Sequence, residues 1–184
     1  MCATPTKPLV WIDLEMTGLT PTKDVILEIA CVLTNQDLDP IDEPLSFVIT
    51  QPQSLLTQMD EWNQKHHHQS GLFEAVQKST VTVAQAEEHI LTLVKKHCKP
   101  QKAPLCGNSV WVDRLFLQKY MPKVEQYLHY RIVDVSSIKI LANIWFGIKP
   151  ETTIKKQKKH RALDDIYESI AELVWYHQHV FKQD

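Results

Sequence analysis

The segment VWIDLEMTGL, residues 10–19, sets Asp13 and Glu15 two positions apart in an otherwise apolar run. Side chains alternate across a strand, so Trp11, Asp13 and Glu15 share one face while Val10, Ile12 and Leu14 share the other. The two carboxylates then start from Cα atoms roughly 6 to 7 Å apart. A strand with one wholly apolar face belongs inside a sheet, where two like charges are costly unless something compensates them. No basic residue in the stretch does so. Either the acidic face is open to water and both groups are hydrated, or a divalent cation sits with them.

The rest of the chain supplies the sheet. A strand at 8–16 is followed, beyond the turn signals Gly18 and Pro21, by ILEIACVLTN (26–35) and then by LSFVITQ (45–51), which reads as an antiparallel three-strand meander. In TVAQAEEHILTLVKKHC, Ala86, Ile90, Leu93 and Val94 recur at helical spacing behind Thr82 as N-cap. After Pro104 a short strand, LCG, breaks at Gly107 and leads into the helical pattern VDRLFLQKYM. RIVDV (131–135) is a further strand, and SSIKILANIWF a helix with serine, Ser136, at its start. From about Arg161 a last helix places Leu163, Ile166, Ile170, Leu173, Val174 and His177 along one stripe. Three strands and then alternating helices and strands predict a mixed α/β sandwich rather than a purely parallel fold. With 184 residues, 43% of them hydrophobic, and no repeat or linker, the chain reads as one domain, 1–184.

Lys+Arg 20 against Asp+Glu 22 leaves a net charge of -2, which excludes the even basic footprint of a protein that grips long nucleic acid. A nucleic acid partner is therefore short or held locally. Cys2, Cys31, Cys98 and Cys106 form no CxxC pair and read as free thiols of a reducing compartment. The start MCATPTKPLVW has no leader pattern and no run reaches membrane-spanning length, so the expected location is cytoplasmic, with no membrane partner. The one strongly basic stretch, KPETTIKKQKKH (149–160), carries Lys155, Lys156, Lys158 and Lys159 and ends at His160. It is either a solvated loop or a phosphate-attracting one.

Further acids follow the first pair: Asp113 just after the GNS turn, and Asp164 and Asp165 at the start of the last helix. Hard oxygen ligands of this kind suit magnesium or manganese rather than zinc. His160 precedes Asp165 by five residues, so an imidazole and a carboxylate can approach one point; local spacing does not choose between Asp164 and Asp165. Cations among four acids would reverse the sign of the site, bind a phosphodiester and activate water. The run His66, His67, His68 does not read as a zinc site, because consecutive helical side chains diverge.

The ordered set DLEMTGL, GNSVWVDRLFL and HRALDD resembles the DEDDh 3′-to-5′ exonucleases; with MDEWN, KYMP, HYRIVDVSS and DDIYES the chain is similar, more narrowly, to the oligoribonuclease family, from about Val10 to Phe181. The resemblance implies a ribonuclease H-like α/β fold, an antiparallel three-strand meander plus parallel strands, flanked by helices. It implies that Asp13, Glu15, Asp113 and Asp165 hold two Mg2+ or Mn2+ ions and that His160 is the general base; its histidine-to-aspartate pattern selects Asp165 over Asp164. It further implies that Leu19 wedges between two bases and that Trp62 and His67 line the 3′-nucleotide side. Ser109, Tyr130, Arg131 and Ser136 would cap a 5′ phosphate, Tyr130 and Arg131 arriving from the other subunit of a homodimer. Taken singly, each of these has an ordinary structural reading: packing for Leu19 and Trp62, a strand edge for Tyr130 and Arg131, helix caps for the serines. The implied substrates are very short RNA oligonucleotides, chiefly dinucleotides. A proofreading-type exonuclease on DNA 3′ ends and a catalytically silent binding module are the alternatives. Trp111 and Val112 before Asp113, and the lysines before His160, depart from the family pattern.

Overall fold

The computed structural model describes residues 7–148 and 161–181. Its five strands are β1 (Leu9–Met16), β2 (Ile26–Thr34), β3 (Leu45–Val48), β4 (Pro104–Gly107) and β5 (His129–Asp134), in the order β3-β2-β1-β4-β5. β1, β2 and β3 pair antiparallel; β4 runs parallel to β1, and β5 parallel to β4. This is the mixed sheet expected from the sequence. The third strand is shorter than expected, because the chain leaves the ladder after Ile49, whose N–H still donates to the Leu27 carbonyl at 2.8 Å, and turns into helix α1 (Gln53–Leu56).

Period-2 alternation sorts the sheet into two faces. Val10, Ile12, Leu14, Ile29, Cys31 and Leu33 face a cluster built with helices α4 (Val83–His97), α5 (Trp111–Tyr120) and α6 (Pro122–Tyr127). Trp11, Ala30 and Val32 face the opposite cluster, with α7 (Val135–Phe146) and α8 (Ala162–His179). Helices α2 (Glu61–Gln69) and α3 (Leu72–Lys78) lie near the end of the meander, where Leu27, Leu56, Met59, Leu72 and Val76 form a smaller core. All nine residues of β2 are buried, as expected of a strand covered on both sides.

Helix starts follow their chemistry, with one correction. Thr82 caps α4 in a complete capping box with Gln85. For α7 the cap is Asp134, which accepts the Ser136 N–H at 2.9 Å, so the serine stands inside the first turn. A carboxylate also complements the helix N-terminus better than a hydroxyl. On α8 the expected stripe holds for Ile166 and Ile170, which are buried, and for Leu163, Leu173 and Val174, which pack partly buried against the same cluster; His177 is exposed, and the buried face continues through Glu172 and Tyr176. The three described cysteines, Cys31, Cys98 and Cys106, are free and buried. Among the described residues no helix is long and apolar enough to cross a membrane.

Candidate active site

Because Asp13 and Glu15 continue the face of Trp11, they point to the side covered by α8. The first turn of α8 brings Asp165 to them: carboxylate oxygens of Asp13, Glu15 and Asp165 all lie within 4.8 Å of one another. Asp113 arrives by another route. Its Oδ1 accepts the Leu14 N–H at 3.0 Å, beyond the point where β4 stops pairing with β1. The carboxylate thus takes a strand N–H that β4 does not reach, and the first turn of α5 is anchored beside the acids.

Sequence reasoning missed a fifth carboxylate. Glu28 stands opposite Glu15 in the β1–β2 register and is only 1% exposed. It is matched rather than shared with the acids: Arg161 Nε and Nη2 donate to its two oxygens at 2.6–3.1 Å, and the Ala162 N–H donates at 3.2 Å. The signal was a lone acid in the apolar run ILEIACVLT, with a lone arginine at the head of α8.

Burial and mutual repulsion disfavour charge on the acids. Burial first, then Asp113, Asp165, Glu15 and Glu28, raise the Asp13 carboxyl well above the usual carboxylate range. Glu15 is pushed to about 8 by burial and by Asp165, Glu28 and Asp113, against a lowering by Arg161. Asp113 is pushed to about 7 by burial, in spite of the hydrogen bonds from its own backbone and from Leu14. A cation among these oxygens would reverse each shift. The donor set is all carboxylate, which suits a hard divalent ion.

The residues expected to touch substrate are placed as follows. Leu19, 72% exposed, rides on a turn tied by Asp24, which accepts from Thr17 Oγ1 at 3.0 Å and from the Thr20 N–H at 2.8 Å. A Cβ at Gly18 would lie 2.6 Å from Asp24 Oδ2, so this tie requires glycine there. Trp62, 61% exposed, stands in the first turn of α2 behind its cap Asp60 and stacks on His66; the default expectation of a core tryptophan is overturned. His67 is buried; its Nε2–H donates to the Met16 carbonyl at 2.9 Å and its Nδ1 lies 4.0 Å from Glu15. The three consecutive imidazoles diverge, His66 to the Trp62 carbonyl and His68 to Glu74, so they do not converge on a metal.

Ser109 and Ser136 meet, their hydroxyls 3.2 Å apart. Tyr130 is 71% exposed on the edge strand β5, with the Arg131 guanidinium 5.3 Å over its ring, and β4 lies between this strand and β1. His160 and Lys155 to Lys159 lie outside the described residues.

Comparison with known proteins bears on this arrangement. The RNase T exonuclease family model matches residues 10–173. Oligoribonuclease of Marinobacter nauticus is 49% identical over 176 residues, covering 95% of this chain and 96% of the relative. Human mitochondrial oligoribonuclease is 48% identical over 175 residues, 95% of this chain and 74% of the relative. The fold is similar to exonuclease I of Methylocaldum szegediense, with TM-score 0.72, 17% identity, and coverage of 95% of this chain but 41% of that one. It is also similar to the nuclease domain of 3′hExo, a DEDDh family member solved with rAMP, with TM-score 0.63, 18% identity and coverage of 95% and 94%. Identity near one half along almost the whole of both chains, over a sheet that gathers the acids of DLEMTGL and HRALDD, makes this chain a member of the oligoribonuclease family of exonucleases.

Proposed function

We propose that the chain is one exonuclease domain, 1–184, that removes nucleoside 5′-monophosphates from the 3′ end of very short RNA, chiefly dinucleotides. The observation that carries this reading is the convergence of Asp13, Glu15 and Asp165 within 4.8 Å at the C-terminal end of β1, with Asp113 anchored beside them. In this reading the four acids hold two divalent cations, Mg2+ or Mn2+. When bound, the cations offset the carboxylate charge and supply Lewis-acid stabilisation to a phosphodiester. His160 takes the proton of the attacking water, a task that an imidazole suits near neutral pH. His67, whose Nε2 is fixed by the Met16 carbonyl, and exposed Trp62 line the 3′ nucleotide, the indole offering a stacking face. Leu19 enters between the bases from its rigid turn.

Ser109 and Ser136 contact the 5′ phosphate, and Tyr130 and Arg131 reach it from the second subunit of a homodimer; a guanidinium fits a terminal phosphate. Such a cap selects length, since it reads both ends of a dinucleotide at once. It also accounts for RNA processing by a chain of net charge -2. Buried free thiols are in keeping with a cytoplasmic protein.

The test is hydrolysis of labelled RNAs of two to seven residues with and without Mg2+, beside a long DNA strand. Magnesium-dependent preference for the dinucleotide supports the reading. Equal rates along the series remove the cap, and cleavage unaffected by chelation removes the metal mechanism.

A further inference from the structure

A chain of hydrogen bonds runs from the two serines to the helix that carries Asp165, and proton counting fixes its direction. Ser169 Oγ lies 2.9 Å from the Asp165 carbonyl, which has no proton, so the serine donates its own there. Asn108 Nδ2 lies 2.8 Å from Ser169 Oγ and 3.3 Å from Glu172 Oε2. Both are acceptors, so the amide must present its NH2 group to them and its carbonyl to the other side. On that side Ser136 Oγ is 3.1 Å from Asn108 Oδ1, and there it spends its single proton. Ser109 Oγ, 3.2 Å from Ser136 Oγ, is then the donor of that pair. The order is Ser109 to Ser136 to Asn108 to Ser169 to the Asp165 carbonyl, every link pointing the same way.

The arrangement is held rather than incidental. Ser109 adopts φ 51, a left-handed conformation costly for serine, and its N–H is fixed by Asp134 Oδ1 and Ser136 Oγ, each at 3.0 Å. Ser169 and Glu172 are buried, so loss of the amide would leave polar atoms with little access to water. Only the Ser109 hydroxyl, at the head of the chain, can turn its proton to an incoming anion without breaking a link further along. Aligned links polarise one another, so a change at the head is felt at the far end.

We propose that Asn108 is a positioning residue that couples the Ser109–Ser136 pair to Asp165, so that engagement of a terminal phosphate and placement of a metal-binding carboxylate are linked through one side chain. The proposal rests on the functional reading above for the identity of the anion. It gives Asn108 a role in substrate selection although it need touch neither phosphate nor metal.

The test compares wild type with Asn108→Leu, Ser169→Ala and the double variant Asn108→Leu/Ser169→Ala, their folding checked by circular dichroism melts. The ratio of kcat/KM for a diribonucleotide with and without a 5′ phosphate gives the phosphate preference. Asn108→Leu is expected to lower kcat and to reduce the preference by about tenfold, the factor that one hydrogen bond of typical strength carries into a rate. Adding Ser169→Ala to Asn108→Leu should cost little more, because the chain is already cut. Ser169→Ala, which leaves the Ser109 turn untouched, should move both quantities in the same direction and carries the test if Asn108→Leu does not fold. Undiminished preference in the folded variants, or fully additive losses in the double variant, overturns the proposal. If wild type hydrolyses no diribonucleotide, the functional reading fails separately, and calorimetric Mn2+ binding then decides. Binding weakened by Asn108→Leu or Ser169→Ala supports the coupling, and unchanged affinity overturns it.

Discussion

At the scale of single residues, the site is a set of acids held in two different ways. Glu28 is neutralised within the protein by Arg161, whereas Asp13 and Glu15 are left to repel one another. Arg161→Ala should therefore cost about 2–3 kcal/mol, less than a fully buried pair because the guanidinium still meets water, and Glu28→Gln should cost less, since the amide carbonyl can still accept the Ala162 N–H. Urea unfolding of the two variants measures both. The pH dependence of the metal-free protein follows from the opposite case. Glu15 rises from 4.5 to about 8 and Asp113 from 3.8 to about 7 on folding. The folded state therefore binds more protons than the unfolded state between these values, and stability falls as pH rises through that window. Thermal melts without metal should show a lower Tm at pH 8 than at pH 5, and added Mn2+ should raise Tm far more at pH 8. A metal-free Tm that rises over that interval would contradict the crowding of the acids.

At the scale of elements, legibility tracked how local the governing physics is. The β1 alternation, the Thr82 cap and the apolar period of α4 depend on near neighbours, and all three were readable. What sequence could not supply was the partner of a charge brought in by topology. Glu28 and Arg161 are 133 residues apart, and the head of α8, with no side-chain cap from its own N-cap residue, takes its anion from β2. Asp113 likewise looked like one more acid until the end of β4 left Leu14 to be bonded. Trp62 is the reverse case: its ordinary reading as a lone aromatic is core, its assignment to substrate came only from the resemblance, and the direction of α2 after Asp60 turns it outward. Elements governed locally should also be separable from function. Thr82→Ala, which removes the capping box on the far side of the sheet from the acids, should lower stability by about 1 kcal/mol and leave kcat/KM on a diribonucleotide unchanged. Denaturation and kinetics on the same preparation check both halves.

At the scale of the whole molecule, apolar residues remain exposed on the face built by β5 and α7. Tyr130, Ile140, Ile144, Trp145 and Phe146 are each more than half exposed. A cavity of about 240 Å³ opens among Ile138, Leu141, Ala142, Trp145, Phe146, Val180 and Phe181. Scattered apolar residues on a surface need no explanation, but several bulky ones on one helix are what the homodimer proposed above needs as its contact surface. A two-fold dimer through such a surface is self-complementary, so one substitution alters the interface twice. In the homodimer proposed above, formed through this surface, Tyr130 and Arg131 of each chain, carried on the edge strand β5, serve the other's site. Trp145→Glu combined with Ile144→Lys should therefore yield a folded monomer by light scattering, with the metal-free pH trend of the acids intact. Its activity on a 5′-phosphorylated dinucleotide should fall together with that of Arg131→Ala in the dimer, and mixing it with Arg131→Ala protein should not restore the rate. A monomer with undiminished rate would remove the partner subunit from the site while leaving the acids and their chemistry where they are.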